Sequence, residues 1–188
     1  MVFGVFDMKI GNGIYTFDDL FTSTEITQFL NLINNSSNEK PFFLNAEFKN
    51  SKLICPDISH LIGQRVLSHF ENEHKYDYNE SFNTCNIIYY SKIKIGQPFS
   101  IHTDTGSYFN KSTNTCSRFT ILLYLNDDFN GGFTQFYNND LKKTHCIIPK
   151  KNKTLLFDIN LFHSANPVES GTKYWIGTEL IGLIKPLT

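Results

Sequence analysis

The sequence of 188 residues has little of what would point to nucleic-acid or membrane binding. It contains only two arginines, Arg65 and Arg118, which is few for a protein that holds phosphates or carboxylates through bidentate hydrogen bonds. Its formal net charge of −1 leaves no basic surplus for a nucleic-acid or lipid partner. No apolar run reaches the roughly 18 residues that a membrane-spanning helix needs. The composition therefore predicts a protein with neither a nucleic-acid nor a membrane partner.

Cysteine pairs and targeting features are also missing. The four cysteines stand about thirty residues apart and form no C-x-x-C pair, which disfavours a zinc site or a redox motif. We expect free thiols in a reducing compartment. The start of the chain has no basic segment before an apolar run, unlike a signal peptide. The sequence predicts a soluble cytoplasmic protein and leaves its oligomeric state open.

The first part of the chain combines a hairpin pattern with two helical patterns. Residues 2–17 predict two short strands around a Gly-Asn-Gly turn. A capping-box pattern at Thr22 and Glu25 precedes apolar residues at helical spacing, which predict a helix over 23–34. A second predicted helix with one apolar face begins at Pro56.

From about residue 84 onward, short runs rich in β-branched and aromatic residues alternate with turn signals. Eight predicted strands span 86–95, 99–103, 117–125, 132–137, 144–149, 153–158, 161–166 and 173–182. Such a series predicts a double-sheet jelly roll with the helices on the outer face of one sheet, an α+β fold. We expect a single domain over 1–188, with a helical part at 1–83 and the β-rich core at 84–188.

The strongest local feature is the pair His102 and Asp104 in a predicted strand. Side chains two residues apart point to the same side of a strand, so both can reach one ion. His163, on a later strand, is the candidate for a third ligand. Two histidines and a carboxylate on one face of an octahedron are typical of non-heme Fe(II) oxygenases. The other four histidines show no ligand spacing and are assigned to ordinary surface or hydrogen-bonded positions: His60, His69, His74 and His145.

Three extended motifs surround these residues. The pattern G-x-x-F-x-x-H-x-D spans 96–104, Y-L-N followed by G-G-x-T-x-F spans 124–136, and H-x-x-x-P-V-x-x-G-x-K spans 163–173. On these motifs the chain resembles the prolyl 4-hydroxylase-like 2-oxoglutarate oxygenases over roughly residues 84–182. The resemblance implies a distorted double-stranded β-helix that binds iron through His102, Asp104 and His163.

The resemblance also implies that Lys173 binds the distal carboxylate of 2-oxoglutarate. The chemistry agrees, because a carboxylate buried deep in a barrel needs a cation beside it. A solvated surface lysine is the ordinary alternative, but Lys173 stands inside a predicted strand beside Tyr174 and Trp175.

Three further residues are candidates for cosubstrate binding. Thr120 is either a cosubstrate contact, as the resemblance implies, or an ordinary β-branched strand residue. Tyr124 shares its face by strand parity and either adds a hydroxyl or packs in the core. Many family members carry a tyrosine nine residues before the first iron histidine. Here that position is Ile93, and Tyr89, which has the same parity, is the candidate substitute.

The activity implied is hydroxylation that uses Fe(II), 2-oxoglutarate and O₂, with ascorbate as reductant, and yields succinate. The expected substrate is a proline in a protein or peptide. The alternatives are a free amino acid, another small molecule or a nucleobase as substrate, and a non-catalytic β-barrel binding module. The scarcity of arginine disfavours a nucleic-acid substrate, and the intact triad disfavours the binding module.

Two polar stretches are candidate substrate loops, since loops on a rigid scaffold usually carry specificity. One is Thr105–Thr115, directly after the predicted metal ligand Asp104. The other is 35–56, which we expect to be irregular. The alternative for both is a plain solvated connection.

Overall fold

The computed structural model describes residues 7–36, 50–74, 81–96 and 98–184. Two helices cover Ser23–Asn35 (α1) and Pro56–His74 (α2). The described residues also form fifteen strands: β1 Asp7–Gly11, β2 Ile14–Asp18, β3 Asn50–Ile54, β4 Asn83–Thr84, β5 Ile87–Ile93, β6 Phe99–His102, β7 Phe109–Asn110, β8 Thr115–Tyr124, β9 Asn130–Gly131, β10 Thr134–Tyr137, β11 Lys143–Ile147, β12 Lys153–Asp158, β13 His163–Ala165, β14 Val168–Ser170 and β15 Lys173–Leu183.

The strands form two main sheets and a short ribbon. The large sheet has the order β1-β2-β12-β8-β15-β5-β3, with β4 added beside β15 and β7 beside β8. The small sheet has the order β11-β10-β13-β6, and β9 pairs with β14. All of these pairs are antiparallel. The expected α+β fold with a double-stranded β-helix core is confirmed.

Both helices pack on the outer face of the large sheet. The capping box at the start of α1 is present, since Thr22 and Glu25 exchange hydrogen bonds between side chain and backbone. Phe29 of α1 and Phe70 of α2 are buried in one core with sheet residues such as Phe119. The helices therefore cover the side of the sheet that faces away from the barrel interior. No helix in the described part of the chain has the length and apolarity needed to span a membrane.

Alternation along β8 separates the outer core from the barrel interior. Phe119, Ile121 and Leu123 are fully buried against the helices. Their neighbours Thr120 and Tyr124 point to the opposite side, where Tyr124 belongs to a second apolar cluster. The barrel interior is thus lined by the residues of β8 that alternate with this outer set, together with the second apolar cluster.

All eight predicted strands are present, with ends that differ by a few residues. The short strands β4, β7, β9 and β14 were not predicted, because two or three residues give no readable periodicity. Residues 35–56, expected to be irregular, contain β3, whose polar sequence becomes a strand by pairing with β5. Residues 2–6 of the predicted hairpin and 37–49 lie outside the described residues.

Candidate metal centre

The three predicted metal ligands meet at one end of the small sheet. His102 on β6 and His163 on β13 are direct partners in the antiparallel pairing, and Asp104 follows the end of β6. One side-chain donor atom from each residue lies within 4.8 Å of the others. Asp104 Oδ1 is 3.5 Å from His102 Nε2 and 3.7 Å from His163 Nε2. Within the described ranges, this is the one His, Cys, Asp or Glu cluster with such spacing.

Backbone carbonyls fix the orientation of both imidazoles. The Nδ1 atom of His102 lies 2.8 Å from Ser100 O, and that of His163 lies 3.0 Å from Leu161 O. A carbonyl only accepts, so each Nδ1 donates to its carbonyl, and Nε2 is the ring nitrogen that remains near Asp104. Metal-binding histidines are commonly held by this kind of second hydrogen bond. Sequence reasoning expected such partners but had no signal that names these two carbonyls.

Asp104 is held by a neighbouring strand. Its Oδ2 accepts a hydrogen bond of 2.6 Å from Thr120 Oγ1 on β8, and its backbone N–H donates to Ile159 O at 3.1 Å. Burial raises the pKa of Asp104, but its contacts with the His102 and His163 rings and with the Thr120 hydroxyl outweigh burial and lower the pKa. Thr120 thus contacts a predicted ligand, and its role as a cosubstrate contact stays a prediction.

His163 is the more buried of the two histidines, and its environment keeps it neutral. Desolvation lowers the pKa of its imidazole despite the nearby Asp104 carboxylate. The ring of Phe157 lies 4.7 Å from that of His163 in an edge-on arrangement. A neutral imidazole and an ionised carboxylate are the forms that bind a metal. The donor set, its spacing and its protonation therefore fit a divalent iron.

Lys173 lies at the start of β15 with its side chain inside the barrel and only 2% exposed. Its Nζ donates to Gly132 O at 2.6 Å and lies 4.9 Å from the centre of the Tyr124 ring. No carboxylate among the described residues pairs with it. Burial lowers the pKa of Lys173 to about 7. A buried ammonium without a counter-ion fits an anionic ligand, as the distal carboxylate of 2-oxoglutarate would be.

Tyr124 connects the lysine to the metal ligands through the inner apolar cluster. Its hydroxyl shares a hydrogen bond of 2.8 Å with Thr134 Oγ1, and burial raises its pKa. Tyr124 and Phe136 belong to the same cluster, and the Phe136 ring lies 5.9 Å from that of His163. Lys173, Tyr124 and the metal ligands thus share one interior. Whether Tyr124 binds the cosubstrate stays a prediction.

Ile93 and Tyr89 occupy different levels of β5. Ile93 pairs with Lys173 across the sheet, whereas Tyr89 pairs with Gly177. Burial, followed by the negative charge of Glu179, raises the pKa of the Tyr89 hydroxyl, which hydrogen-bonds Glu179. The structure therefore brings Tyr89 to Glu179, and its role in cosubstrate binding stays a prediction.

Sequence reasoning missed Glu179, a carboxylate only 5% exposed on the inner face of β15. The available signal was parity, because Glu179 is six residues after Lys173 on the same strand and so shares its face. A separate cavity of about 430 Å³ lies among residues that include Asp127, Phe129 and Glu169. None of the candidate site residues lines this cavity.

Fold and site together define an oxygenase class that binds iron and 2-oxoglutarate. Residues 85–178 match the family model described as 2OG-Fe(II) oxygenase superfamily. The match covers half of the chain, and the chain belongs to this superfamily. It is a 2-oxoglutarate-dependent dioxygenase. No curated protein matches the chain by sequence.

Solved structures agree with the fold. A viral collagen prolyl hydroxylase from Paramecium Bursaria Chlorella virus-1, solved with 2-oxoglutarate, has a TM-score of 0.62 at 20% identity, over 93% of this chain and 98% of its own. A Trichoplax adhaerens prolyl hydroxylase, in complex with a hypoxia inducible factor peptide, has a TM-score of 0.66 at 20% identity. The match covers 90% of this chain and 83% of that one. A Pseudomonas putida prolyl-4-hydroxylase has a TM-score of 0.62 at 14% identity, and the match covers 89% of this chain and 91% of that one. The resemblance to prolyl hydroxylases seen in the sequence is confirmed at the level of fold and family.

Proposed function

We propose that the protein hydroxylates proline in a peptide or protein and converts 2-oxoglutarate to succinate in the same reaction. The observation that carries the proposal is that one barrel interior holds both the triad His102, Asp104 and His163 and a buried Lys173, which forms no ion pair with any described carboxylate. Among the similar solved structures are prolyl hydroxylases, one of them in complex with a peptide. A peptidyl proline is therefore the substrate class that these neighbours favour.

Each residue has a defined part in the proposed site. His102 and His163 would hold Fe(II) through Nε2, and Asp104 would hold it through Oδ1. Lys173 would donate to the distal carboxylate of 2-oxoglutarate. When bound, Fe(II) with 2-oxoglutarate and O₂ supplies the oxidising power that hydroxylates a C–H bond, and ascorbate keeps the iron reduced.

The rest of the interior keeps the site dry and fixed. Phe136 and Phe157 are fully buried against His163 and exclude water from that side. Water exclusion strengthens the pairing between Lys173 and a carboxylate, because the local dielectric is low. Thr120 donates a hydrogen bond to Oδ2 of Asp104, which leaves Oδ1 as the oxygen near the histidines.

We also infer that the protein works in the cytoplasm. All four cysteines lie in the described part of the chain, and they form no disulfide. A reducing compartment keeps such thiols reduced.

The test is succinate release from 2-oxoglutarate with Fe(II) and ascorbate, with and without a panel of proline-containing peptides. His102→Ala serves as the blank. Peptide-stimulated succinate, together with a peptide product heavier by one oxygen atom, supports the proposal. Succinate release without peptide stimulation moves the search to small molecules or other polymers. No succinate above the blank, from folded and iron-loaded protein, overturns the catalytic role.

A further inference from the structure

A buried carboxylate, that of Glu179, lies close to the metal centre without being part of it. Glu179 pairs with Thr120 across the β15–β8 register, and Thr120 is the residue that donates to Asp104. The Oε2 atom of Glu179 accepts from the backbone N–H of Ser107 at 2.9 Å and from the Ser107 hydroxyl at 2.7 Å. It also accepts from the hydroxyl of Ser117 at 2.5 Å.

The chemistry of this cluster favours a carboxylate. Ser107 contributes two donors and the Ser117 hydroxyl contributes one, and all three reach the same oxygen, Oε2. An ionised carboxylate only accepts, and charge-assisted hydrogen bonds of this kind offset the cost of burying it. A glutamine in its place could present its carbonyl oxygen to these donors, but it would lose the negative charge that strengthens the hydrogen bonds.

The cluster anchors the segment that directly follows Asp104. Ser107 is three residues after Asp104, and Gly106 between them has φ +69°. A Cβ at Gly106 would lie 2.9 Å from the Ser117 Cβ, so the segment packs tightly on β8. Asp104 is therefore held directly by Thr120 and indirectly by the segment that follows it, which is tied to Glu179.

We propose that Glu179 is a positioning residue: it anchors Ser107 and thereby holds the Asp104 carboxylate in place for the metal ion. The inference rests on the proposed metal site and adds a residue that the sequence motifs do not include. Glu179 acts through Ser107 and Ser117, since its Oε2 atom accepts from the hydroxyl and amide donors of these residues.

The test is Glu179→Gln with two readouts that do not depend on turnover. The first is hydrogen exchange of the Ser107 amide in metal-free protein, which we expect to become faster once the carboxylate is lost. The second is the dissociation constant for Co(II), used as a spectroscopic probe, which we expect to rise about tenfold, as is usual for the loss of a group that orients a ligand.

Glu25→Gln is the matched control, because Glu25 also accepts from a backbone N–H, that of Thr22, and pairs with Arg65. We expect it to lower stability without changing the Co(II) affinity. Ser117→Ala keeps the Glu179 charge and removes one donor. If Glu179→Gln does not fold, Ser117→Ala replaces it as the test variant. We expect its affinity for Co(II) to fall about threefold.

The outcomes are distinguishable. Absence of Co(II) and Fe(II) binding by the wild-type protein overturns the proposed metal site and the positioning role with it. Wild-type affinity in folded Glu179→Gln, or in Ser117→Ala where that variant is used, overturns the positioning role alone. Weaker metal binding with faster Ser107 exchange, and neither change in Glu25→Gln, supports it.

Discussion

At the scale of single residues, the charges of Asp104 and Lys173 have opposite environments. The Asp104 side chain is 26% exposed and accepts a hydrogen bond from Thr120, so solvent and a donor stabilise its charge without any ligand. Lys173 has a carbonyl and an aromatic ring as neighbours, and no described carboxylate. Because an unpaired buried charge is costly, Lys173 is the residue whose environment calls for an anionic ligand.

Lys173→Met tests this role, because methionine has a similar length and no charge. We expect the dissociation constant for 2-oxoglutarate to rise about 100-fold, or about 3 kcal/mol, since the bound carboxylate then lacks its cation. Anaerobic calorimetric titration in the presence of Fe(II) measures it. Wild-type affinity in this variant would show that the distal carboxylate binds elsewhere.

The lowered pKa of Lys173 also predicts how the stability of the ligand-free protein depends on pH. The ordinary lysine pKa of 10.5 falls to about 7 in the fold. Below about pH 7 the folded protein bears a costly buried ammonium. Between about pH 7 and the ordinary lysine pKa of 10.5, the unfolded chain binds more protons than the folded one. The free energy of unfolding therefore rises with pH over this range.

Lys173→Met should remove this dependence. We expect the variant to be more stable than the wild type at pH 6, and the difference to shrink as the pH rises to 9. Urea unfolding of both proteins at several pH values measures the difference. A constant difference over that range would contradict the expected titration of Lys173.

Thr120 allows a matched pair of substitutions. Thr120→Val has a similar shape but leaves one Asp104 oxygen without its donor, whereas Thr120→Ser keeps the hydroxyl. We expect about a tenfold weaker Fe(II) affinity in the valine variant and near wild-type affinity in the serine variant, measured by anaerobic metal titration. Equal affinities in both variants would mean that the hydroxyl does not orient Asp104.

The site residues differ in how far sequence alone could predict them. His102, Asp104 and Lys173 follow from spacing and from the family resemblance. The contact between Thr120 and Asp104 depends on β8 passing beside the end of β6, which no local pattern encodes. Glu179 shares strand parity with Lys173, but parity alone does not single it out, because the role of a glutamate in a strand depends on partners that the sequence does not place.

At the scale of elements, antiparallel pairing brings distant residues together. The register that sets His163 opposite His102 joins two strands about sixty residues apart in the sequence. The longer strands were predictable because hydrophobic alternation is strong over five or more residues. The two-residue β9 was not, and its position depends on consecutive glycines with positive φ, Gly131 and Gly132.

Gly131 and Gly96 provide a matched test of the β9–β14 ribbon. Their φ angles are similar, +76° and +78°, but a Cβ at Gly131 would lie 2.4 Å from Pro167 O, whereas none of the described atoms comes within 4 Å at Gly96. We expect Gly96→Ala to lower the free energy of unfolding by about 1 kcal/mol through backbone strain. Gly131→Ala should cost about 3 kcal/mol or more, because the ribbon must also open.

Urea unfolding of the two glycine variants measures both losses. Equal losses would mean that the close approach at Gly131 is relieved without cost. Because Gly132 O is the acceptor for Lys173 Nζ, we also expect Gly131→Ala, and not Gly96→Ala, to weaken 2-oxoglutarate binding.

At the scale of the whole molecule, the large sheet separates two functions. Its outer face packs against α1 and α2 and provides most of the apolar core, while its inner face and the small sheet enclose the site. Fold class was predictable because helices precede a long series of strands. Which strand pairs with which was not, since pairing depends on contacts between residues far apart in the chain.

The most direct test of the account is the amount of Fe(II) bound per chain under anaerobic conditions. We predict one Fe(II) per wild-type chain, at least 100-fold weaker binding in His102→Ala, Asp104→Ala and His163→Ala, and unchanged binding in the exposed-histidine control His60→Ala. Full iron binding in any of the three ligand variants, or its loss in His60→Ala, would contradict the account.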